Sequence, residues 1–138
     1  MELKDRVIVV TGGTGLLGKE FCRGLAEFGA EVIIGSTNKE NGKLVSEELN
    51  AYLNEDKVSF NILDITSVKS IDEFILKTEE EFGKIDVLVN NAYPRNKKYG
   101  TKFEKVEFDS YSENVISHMG GYFLVTQKIS KRMMERKY

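Results

Sequence analysis

The sequence predicts an α/β fold, a doubly wound parallel sheet with helices on both faces. Short apolar runs typical of buried strands alternate along the chain with longer segments of helical periodicity, and a glycine-rich turn joins the first strand to the first helix. Strands and helices in this alternation form βαβ units, whose right-handed crossovers leave few topologies. We expect the strand order 3-2-1-4.

The first half of the chain contains two predicted strands and two predicted helices. Residues 7–10 form a continuous β-branched run, which is typical of a strand buried on both faces, and residues 32–34 repeat that pattern. Apolar residues between the two runs recur on one helix face, and Gly29 ends this helix. A second helix follows strand 2. The apolar residues of the two helices are Leu17, Phe21, Leu25 and Phe28, then Val45, Leu49, Tyr52 and Leu53.

Two further strands and a third helix come next. Residues 58–63 predict strand 3, and the short apolar run at residues 87–89 predicts strand 4. The helix between them is expected to begin at a cap supplied by Thr66 or Ser67 and to end at Gly83.

Residues 93–107 break the alternation and predict a loop, because they include the only proline of the chain and a basic cluster. Ser110 and Glu113 have the spacing of a capping box, which predicts that a long helix begins there. Gly120 and Gly121 lie in the middle of that helix, where they indicate close packing or a kink. The basic residues of the loop are Arg95, Lys97 and Lys98, and the apolar stripe of the helix is Tyr111, Val115, Met119, Tyr122, Thr126, Ile129 and Met133.

The sequence stops after this helix without a further strand. Strand 4 is therefore left as an open, apolar edge that a complete fold would cover. We expect residues 1–138 to be a single incomplete domain, truncated after its fourth strand and a long helix.

Composition excludes several classes of protein. With 20 basic and 22 acidic residues, the chain has no electrostatic footprint for nucleic acid. One cysteine and one histidine exclude a disulfide framework and a cysteine-rich zinc site. No apolar run approaches the roughly 20 residues that span a bilayer. We expect a cytoplasmic protein with no metal site and with neither nucleic acid nor membrane as a partner.

The glycine-rich turn at residues 11–18 lies where a phosphate-binding loop belongs in a Rossmann-like fold. Gly12 permits the tight turn, Gly15 lets backbone approach a pyrophosphate, and Gly18 lets helix and strand pack closely. The helix amino terminus adds unpaired N–H groups and a positive dipole end. The alternative is a glycine turn needed only for packing. The predicted dinucleotide-binding residues of the turn are Gly12, Thr14, Gly15, Leu17 and Gly18.

The end of strand 2 bears on the choice of cofactor. Sites that prefer NAD usually place an acidic residue there, yet residues 35–39 contain none. Ser36 and Thr37 offer hydroxyl groups to a 2′-phosphate, whereas Lys39 alone is better explained as a solvated residue at a helix start. We expect NADP rather than NAD, and no arginine in this stretch decides the matter.

These residues resemble the short-chain dehydrogenase/reductase family across nearly the whole chain. Four features occur in the order that the family shows. They are the turn at residues 11–18, the pair Asp64-Ile65 after strand 3, the triplet at residues 90–92 after strand 4 and the helix end at residues 123–127. The resemblance implies that Asp64 and Ile65 lie at the adenine. It also implies that Asn90, Asn91 and Ala92 support the sheet and line the adenosine ribose. For Asp64 a helix-capping role is the compatible alternative.

Three positions depart from the family pattern. Leu16 stands where the common turn has its middle glycine, and Tyr93 replaces the glycine after the Asn-Asn-Ala triplet. The helix end places His118, rather than Asn114, where the family has its catalytic asparagine. An imidazole there can hold a water or pass a proton, so His118 is the candidate catalytic residue. The alternative is a histidine packed at a kink beside the two glycines.

The family's catalytic tyrosine and the lysine four residues after it are missing. Tyr93 and Lys97 have that spacing but follow strand 4 directly in a proline-containing loop, so we interpret them as a chance match. The resemblance implies an NAD(P)-dependent oxidoreductase acting on a carbonyl or secondary alcohol, on a surface-sugar precursor or a 3-oxoacyl-type substrate. This chain is then the cofactor-binding half, inactive alone, in a homo-oligomer paired through the last helix. The alternative is a non-catalytic dinucleotide-binding module with a regulatory or scaffolding role.

Overall fold

The computed structural model describes residues 3–136 as a four-stranded parallel sheet flanked by helices. The strand order is β3-β2-β1-β4, which confirms the predicted topology. The strands are β1 Val7–Thr11, β2 Glu31–Ser36, β3 Val58–Ile62 and β4 Val87–Val89. The helices are α1 Leu16–Glu27, α2 Lys39–Leu53, α3 Val68–Phe82, α4 Phe108–Val115 and α5 Gly121–Glu135, with a π-helical turn at Ile116–Gly120 and a 3-10 turn at Phe103–Lys105.

The central strands are buried on both faces, as their β-branched runs predict. Ile8 and Val10 point into a core shared with α1 and α2, whereas Val7 and Val9 point into a core shared with α3 and α5. Alternating side chains of one strand therefore contribute to two separate cores. Helix boundaries also follow the predicted signals, since Ser67 caps α3 and Gly83 ends it with a φ of 75°.

Helix α1 packs on the sheet through its small residues and not through the face that carries its large apolar residues. Its buried residues are Gly18, Cys22 and Ala26, while Leu17 is 70% and Phe28 60% exposed. Small side chains at this spacing let the helix axis lie close to the strands, so the larger neighbours are left outside. The periodicity of the helix was predicted correctly, but its apolar face is largely uncovered within residues 3–136.

The predicted capping box is wrong. Helix α4 begins at Phe108, two residues before Ser110, and its first turn has no side-chain cap. Ser110 and Glu113 instead bind Asn96 in the preceding loop, whose Nδ2 lies 3.0 Å from Ser110 Oγ and 2.8 Å from Glu113 Oε2. The backbone N–H of Asn96 also donates to Asn114 Oδ1 at 3.1 Å. The serine–glutamate pair therefore anchors the loop and does not begin the helix.

The predicted long helix is interrupted by the π-helical turn. A π turn inserts an extra residue, and each residue rotates the helix face by about 100°, so the apolar stripe on either side is out of phase. Val125 and Ile129 are buried after the turn, whereas Tyr111 and Met119 are exposed. A β-carbon at Gly121 would lie 2.6 Å from Ile65 Cδ1, which explains that glycine by close packing.

Strand β4 pairs with β1 alone in the part of the chain that the structure describes. Its other edge is open, and Val87 is 38% exposed there. The apolar edge predicted from the sequence is therefore present. Across the same described residues, no helix is both long and apolar enough to cross a bilayer.

Candidate functional site

A cleft of about 410 Å³ lies at the carboxyl ends of the strands. Ligands of doubly wound sheets bind at this edge, and the volume lies within the range of small-molecule sites. Six of the predicted cofactor residues line it, namely Gly12, Ser36, Thr37, Asp64, Ile65 and Ala92. The other lining residues are Gly35, Leu63, Thr66, Tyr93, Pro94 and Arg95.

The glycine-rich turn contains two glycines that the fold itself requires. Gly12 has a φ of 65°, and a β-carbon there would lie 2.7 Å from the Cα of Ala92. A β-carbon at Gly18 would lie only 2.3 Å from the carbonyl oxygen of Gly12. Packing of β1, α1 and the segment after β4 therefore accounts for both residues.

Gly15 is different, because packing does not explain it. Its φ is −78°, which any residue adopts, and the nearest atom to an added β-carbon is the Gly12 oxygen at 3.4 Å, an ordinary contact. Gly15 is exposed and begins α1 without a side-chain cap. A glycine at a helix amino terminus that the fold does not need is what close approach of a phosphate requires.

Asn91 and Thr11 hold the turn in place. The Asn91 amide donates to the carbonyl oxygens of Thr11 and Gly12, at 3.1 and 3.0 Å. The Thr11 hydroxyl accepts from the backbone N–H groups of Asn91 and Ala92, at 2.9 and 3.0 Å. These bonds tie the end of β1 to the end of β4. Thr11 was not predicted as a site residue from the sequence, although its position at the start of the glycine-rich turn could have indicated it.

Asn90 points to the helical layer instead of the cleft. Its Nδ2 donates to Thr126 Oγ1 on α5 at 2.9 Å, and its buried Oδ1 accepts no hydrogen bond from residues 3–136. This contact links β4 to α5. This hydrogen bond is compatible with the predicted role of Asn90 in supporting the sheet. That Asn90 also lines the adenosine ribose stays a prediction.

The hydroxyl groups near the end of β2 form a small polar group. Thr14 Oγ1 and Ser36 Oγ lie 3.1 Å apart, which links the glycine-rich turn to β2. Thr37 is exposed beside them. Asp64 is the one acidic residue among those that line the cleft, and its Oδ1 accepts from the backbone and hydroxyl of Thr66 at 2.9 and 2.7 Å. Asp64 therefore acts as a turn cap while it lines the cleft.

His118 lies in the π-helical turn, behind the cleft wall. Its ring packs edge-on between Tyr93 and Tyr122, with centroid distances of 4.5 and 4.6 Å. Tyr93 lines the cleft, so one aromatic ring separates His118 from it. The structure shows His118 as a packed histidine at the helix interruption, and its catalytic role stays a prediction.

Tyr93 does not have the environment of a catalytic base. Its hydrogen bond with the Tyr99 hydroxyl, together with desolvation, raises its pKa, whereas a tyrosine that must ionise near neutral pH needs a lowered one. Lys97 is exposed in the loop, which is not helical at these positions. These observations support the interpretation of the Tyr93–Lys97 spacing as a chance match.

Comparisons with known proteins assign the architecture to one family. The family described as short chain dehydrogenase matches residues 6–138. The chain is 30% identical over 136 residues to a 5-keto-D-gluconate 5-reductase of Escherichia coli, covering 98% of this chain and 51% of the relative. It is 28% identical to the post-translational flagellin modification protein A of Campylobacter coli, covering 99% and 53%. The crystal structure of a 3-ketoacyl-(acyl-carrier-protein) reductase from Brucella melitensis complexed with NADH is 27% identical with a TM-score of 0.82, covering 97% and 52%. The chain thus spans about half the length of these relatives.

Proposed function

The chain belongs to the short-chain dehydrogenase family, and from this premise we propose that it is the cofactor-binding half of an NAD(P)-dependent oxidoreductase. When bound, the nicotinamide supplies hydride transfer to or from a carbonyl or secondary alcohol. The observation that carries the proposal is Gly15, an exposed glycine at the amino end of α1 that the packing of the fold leaves unexplained.

The residues around the cleft fit a dinucleotide. The amino end of α1 and the backbone at Gly15 suit a pyrophosphate, since neither a side-chain cap nor an acidic residue occupies the first turn of that helix. Ser36 and Thr37 present hydroxyl groups at the end of β2, and Asp64 and Ile65 line the far side of the cleft. Leu17, which is exposed at the start of α1, joins this set as a predicted contact.

Gly15→Ala separates phosphate binding from packing. The free energy of unfolding of this variant is expected to fall by no more than about 1 kcal/mol, because the one unfavourable effect on folding is that alanine is a poorer helix cap than glycine. It is also expected to bind NADPH and NADH more weakly, because a methyl group then occupies the place that backbone and phosphate share. Nicotinamide fluorescence titration measures this. Gly24→Ala in the same helix, where an added β-carbon meets nothing within 4 Å, is the matched control. Unchanged affinity in Gly15→Ala would refute the phosphate role of Gly15 and leave it only as the residue that begins α1.

We propose NADP as the preferred cofactor. Among the lining residues the end of β2 has two hydroxyl groups and no carboxylate, so nothing there repels a 2′-phosphate. NAD is the alternative, because the similar 3-ketoacyl reductase structure contains NADH. Titration with NADPH and NADH side by side tests the preference, and tighter binding of NADH would reverse it.

His118 is proposed to act at the active site of the longer protein. Support comes from its place in the π-helical turn, one ring behind the cleft. The test requires a protein that also carries a catalytic tyrosine and lysine. If the reading frame continues past Tyr138, His118→Asn is expected to retain activity, because an amide can still hold a water, and His118→Phe to lose it. Equal activity in the two variants would leave only the packing role.

The isolated chain is proposed to bind cofactor and to turn over nothing. The pKa of Tyr93 is raised, and no other tyrosine–lysine pair at the required spacing occurs in the sequence. Candidate substrates are a surface-sugar precursor or a 3-oxoacyl compound; one relative is named for a 3-ketoacyl group and another for the keto sugar acid 5-keto-D-gluconate. Cofactor-dependent turnover by this chain alone would contradict the proposal. A stop codon directly after Tyr138 would favour the non-catalytic module.

We also propose that the longer protein forms a homo-oligomer through its last helix. Met119 and Phe123 are about three-fifths exposed, while Tyr122 between them is partly covered by His118. Large apolar side chains exposed on one helix are typical of an interface. Analytical ultracentrifugation of the wild type and of Phe123→Ser tests this assembly. A cytoplasmic location stays a prediction from composition.

A further inference from the structure

We propose that Arg95 is a phosphate-binding residue of the cleft and that it holds a phosphate of the dinucleotide. The inference rests on the proposed cofactor site and adds to it a residue that the glycine-rich turn does not supply. Arg95 comes from the loop after β4, far in sequence from the end of β2, yet both line one cleft. The shared chemistry is a phosphate oxyanion, either the pyrophosphate or a 2′-phosphate.

The first observation is the absence of a counter-ion. The other four arginines of the chain each lie between 2.5 and 3.7 Å from a carboxylate oxygen; they are Arg6, Arg23, Arg132 and Arg136. Within residues 3–136, Arg95 alone among the arginines forms no such pair. An arginine that borders a cleft without a carboxylate leaves its charge available to an anionic ligand.

The second observation is that Arg95 is held in place by aromatic rings. Its guanidinium carbon lies 4.8 Å from the ring centroid of Tyr99 and 5.7 Å from that of Tyr93. The two rings also pack against each other at 5.5 Å, and Tyr93 packs on His118. These cation–π contacts hold the guanidinium beside the cleft, and it donates no hydrogen bond to an oxygen within residues 3–136, so its N–H groups are available to phosphate oxygens.

Four acidic residues line the two hollows that Arg95 borders, and none of them forms an ion pair with it within residues 3–136. Glu107 and Glu113 line a second hollow that Arg95 also borders. Glu107 pairs with Lys98, and Glu113 accepts from Asn96. Asp109 also lines that hollow and Asp64 lines the cleft, where its Oδ1 accepts from Thr66, but neither carboxylate forms an ion pair with Arg95 within residues 3–136.

The test is calorimetric titration of the 138-residue chain with NADP⁺, NAD⁺, ADP and adenosine. Arg95→Gln removes the charge, and Arg95→Lys keeps it without the planar fork. Lys97→Gln is the matched control, because it makes the same charge change in the same loop at a residue that does not line the cofactor cleft. We expect Arg95→Gln to weaken binding of a phosphate-bearing ligand by about tenfold or more, as for a charged hydrogen bond. Arg95→Lys should lie between, and adenosine and Lys97→Gln should show little change.

The pattern of loss identifies the phosphate. A loss for NADP⁺ that is absent for NAD⁺ and ADP assigns Arg95 to the 2′-phosphate, and an equal loss for all three assigns it to the pyrophosphate. Equal binding by wild type and Arg95→Gln, or an equal loss for adenosine, overturns the proposal while the cofactor site stands. A wild-type chain that binds none of these ligands overturns both. Circular dichroism melts verify that each variant is folded.

Discussion

Replacing Gly18 with alanine tests how closely α1 must approach the glycine-rich turn. A β-carbon at this position would lie 2.3 Å from the carbonyl oxygen of Gly12, 2.7 Å from Asn91 Nδ2 and 2.8 Å from the Cα of Gly13. Two of these three atoms belong to the backbone. The overlap can therefore be relieved only if the helix or the turn moves.

The magnitude follows from two opposing effects. Alanine in a helix interior is about 1 kcal/mol better than glycine. Overpacking a tight site costs about 1–3 kcal/mol, and contacts with backbone lie toward the upper end because a rotamer change cannot relieve them. We expect Gly18→Ala to lower the free energy of unfolding by about 2 kcal/mol. Gly24→Ala, two turns along the same helix with no atom within 4 Å, should raise it by about 0.5–1 kcal/mol.

Urea unfolding followed by circular dichroism measures both variants. A change of 2 kcal/mol moves the midpoint by about 1 M urea for a slope of about 2 kcal/mol per molar. Gly18→Ala is also expected to lose affinity for NADPH, since the displaced turn carries the proposed phosphate site. If Gly18→Ala were as stable as Gly24→Ala, the reasoning from close packing would be refuted.

Three further predictions concern other parts of the fold. Asn96→Ala should lower the free energy of unfolding by about 1–2 kcal/mol, and with it the melting temperature, because it removes the side-chain bonds from Asn96 to Ser110 and Glu113; an unchanged melt would contradict this. Burial opposes ionisation of Glu79, but hydrogen bonds from Arg132 and Arg136 outweigh it and lower its pKa. That stabilisation is present above the ordinary glutamate pKa of about 4.3 and is lost as pH falls through the lowered value, so urea midpoints of Glu79→Gln should depend less on acidic pH than those of wild type. Burial raises the pKa of Cys22 to about 12, so a thiol reagent at neutral pH should modify it only after unfolding, and rapid native labelling would disprove this.

Local patterns predicted most of the fold because buried strands leave a clear signal. The runs at β1 and β2 contain only side chains suited to two buried faces, and the glycines at 29 and 83 adopt positive φ where helices end. The spacing of these elements then admitted one leading topology, which the structure confirms.

The errors arose where a local signal had a distant partner. Ser110 and Glu113 match a capping box, but Asn96 takes both side chains. The large apolar residues of α1 suggested its buried face, yet Gly18, Cys22 and Ala26 pack on the sheet because small residues permit the closer approach. Neither choice is encoded within the segment itself.

The sequence by itself determined the strand order, the place of the cleft and six of the twelve residues that line it, since these depend on periodicity and on the glycine spacing of one turn. Only the tertiary structure showed that packing requires Gly12 and Gly18 but not Gly15, because that distinction depends on atoms after β4 and across the turn. Tertiary structure likewise brought Arg95 to the same cleft as Ser36. The physical reason is that parallel strands gather their carboxyl ends at one edge, where residues distant in sequence meet.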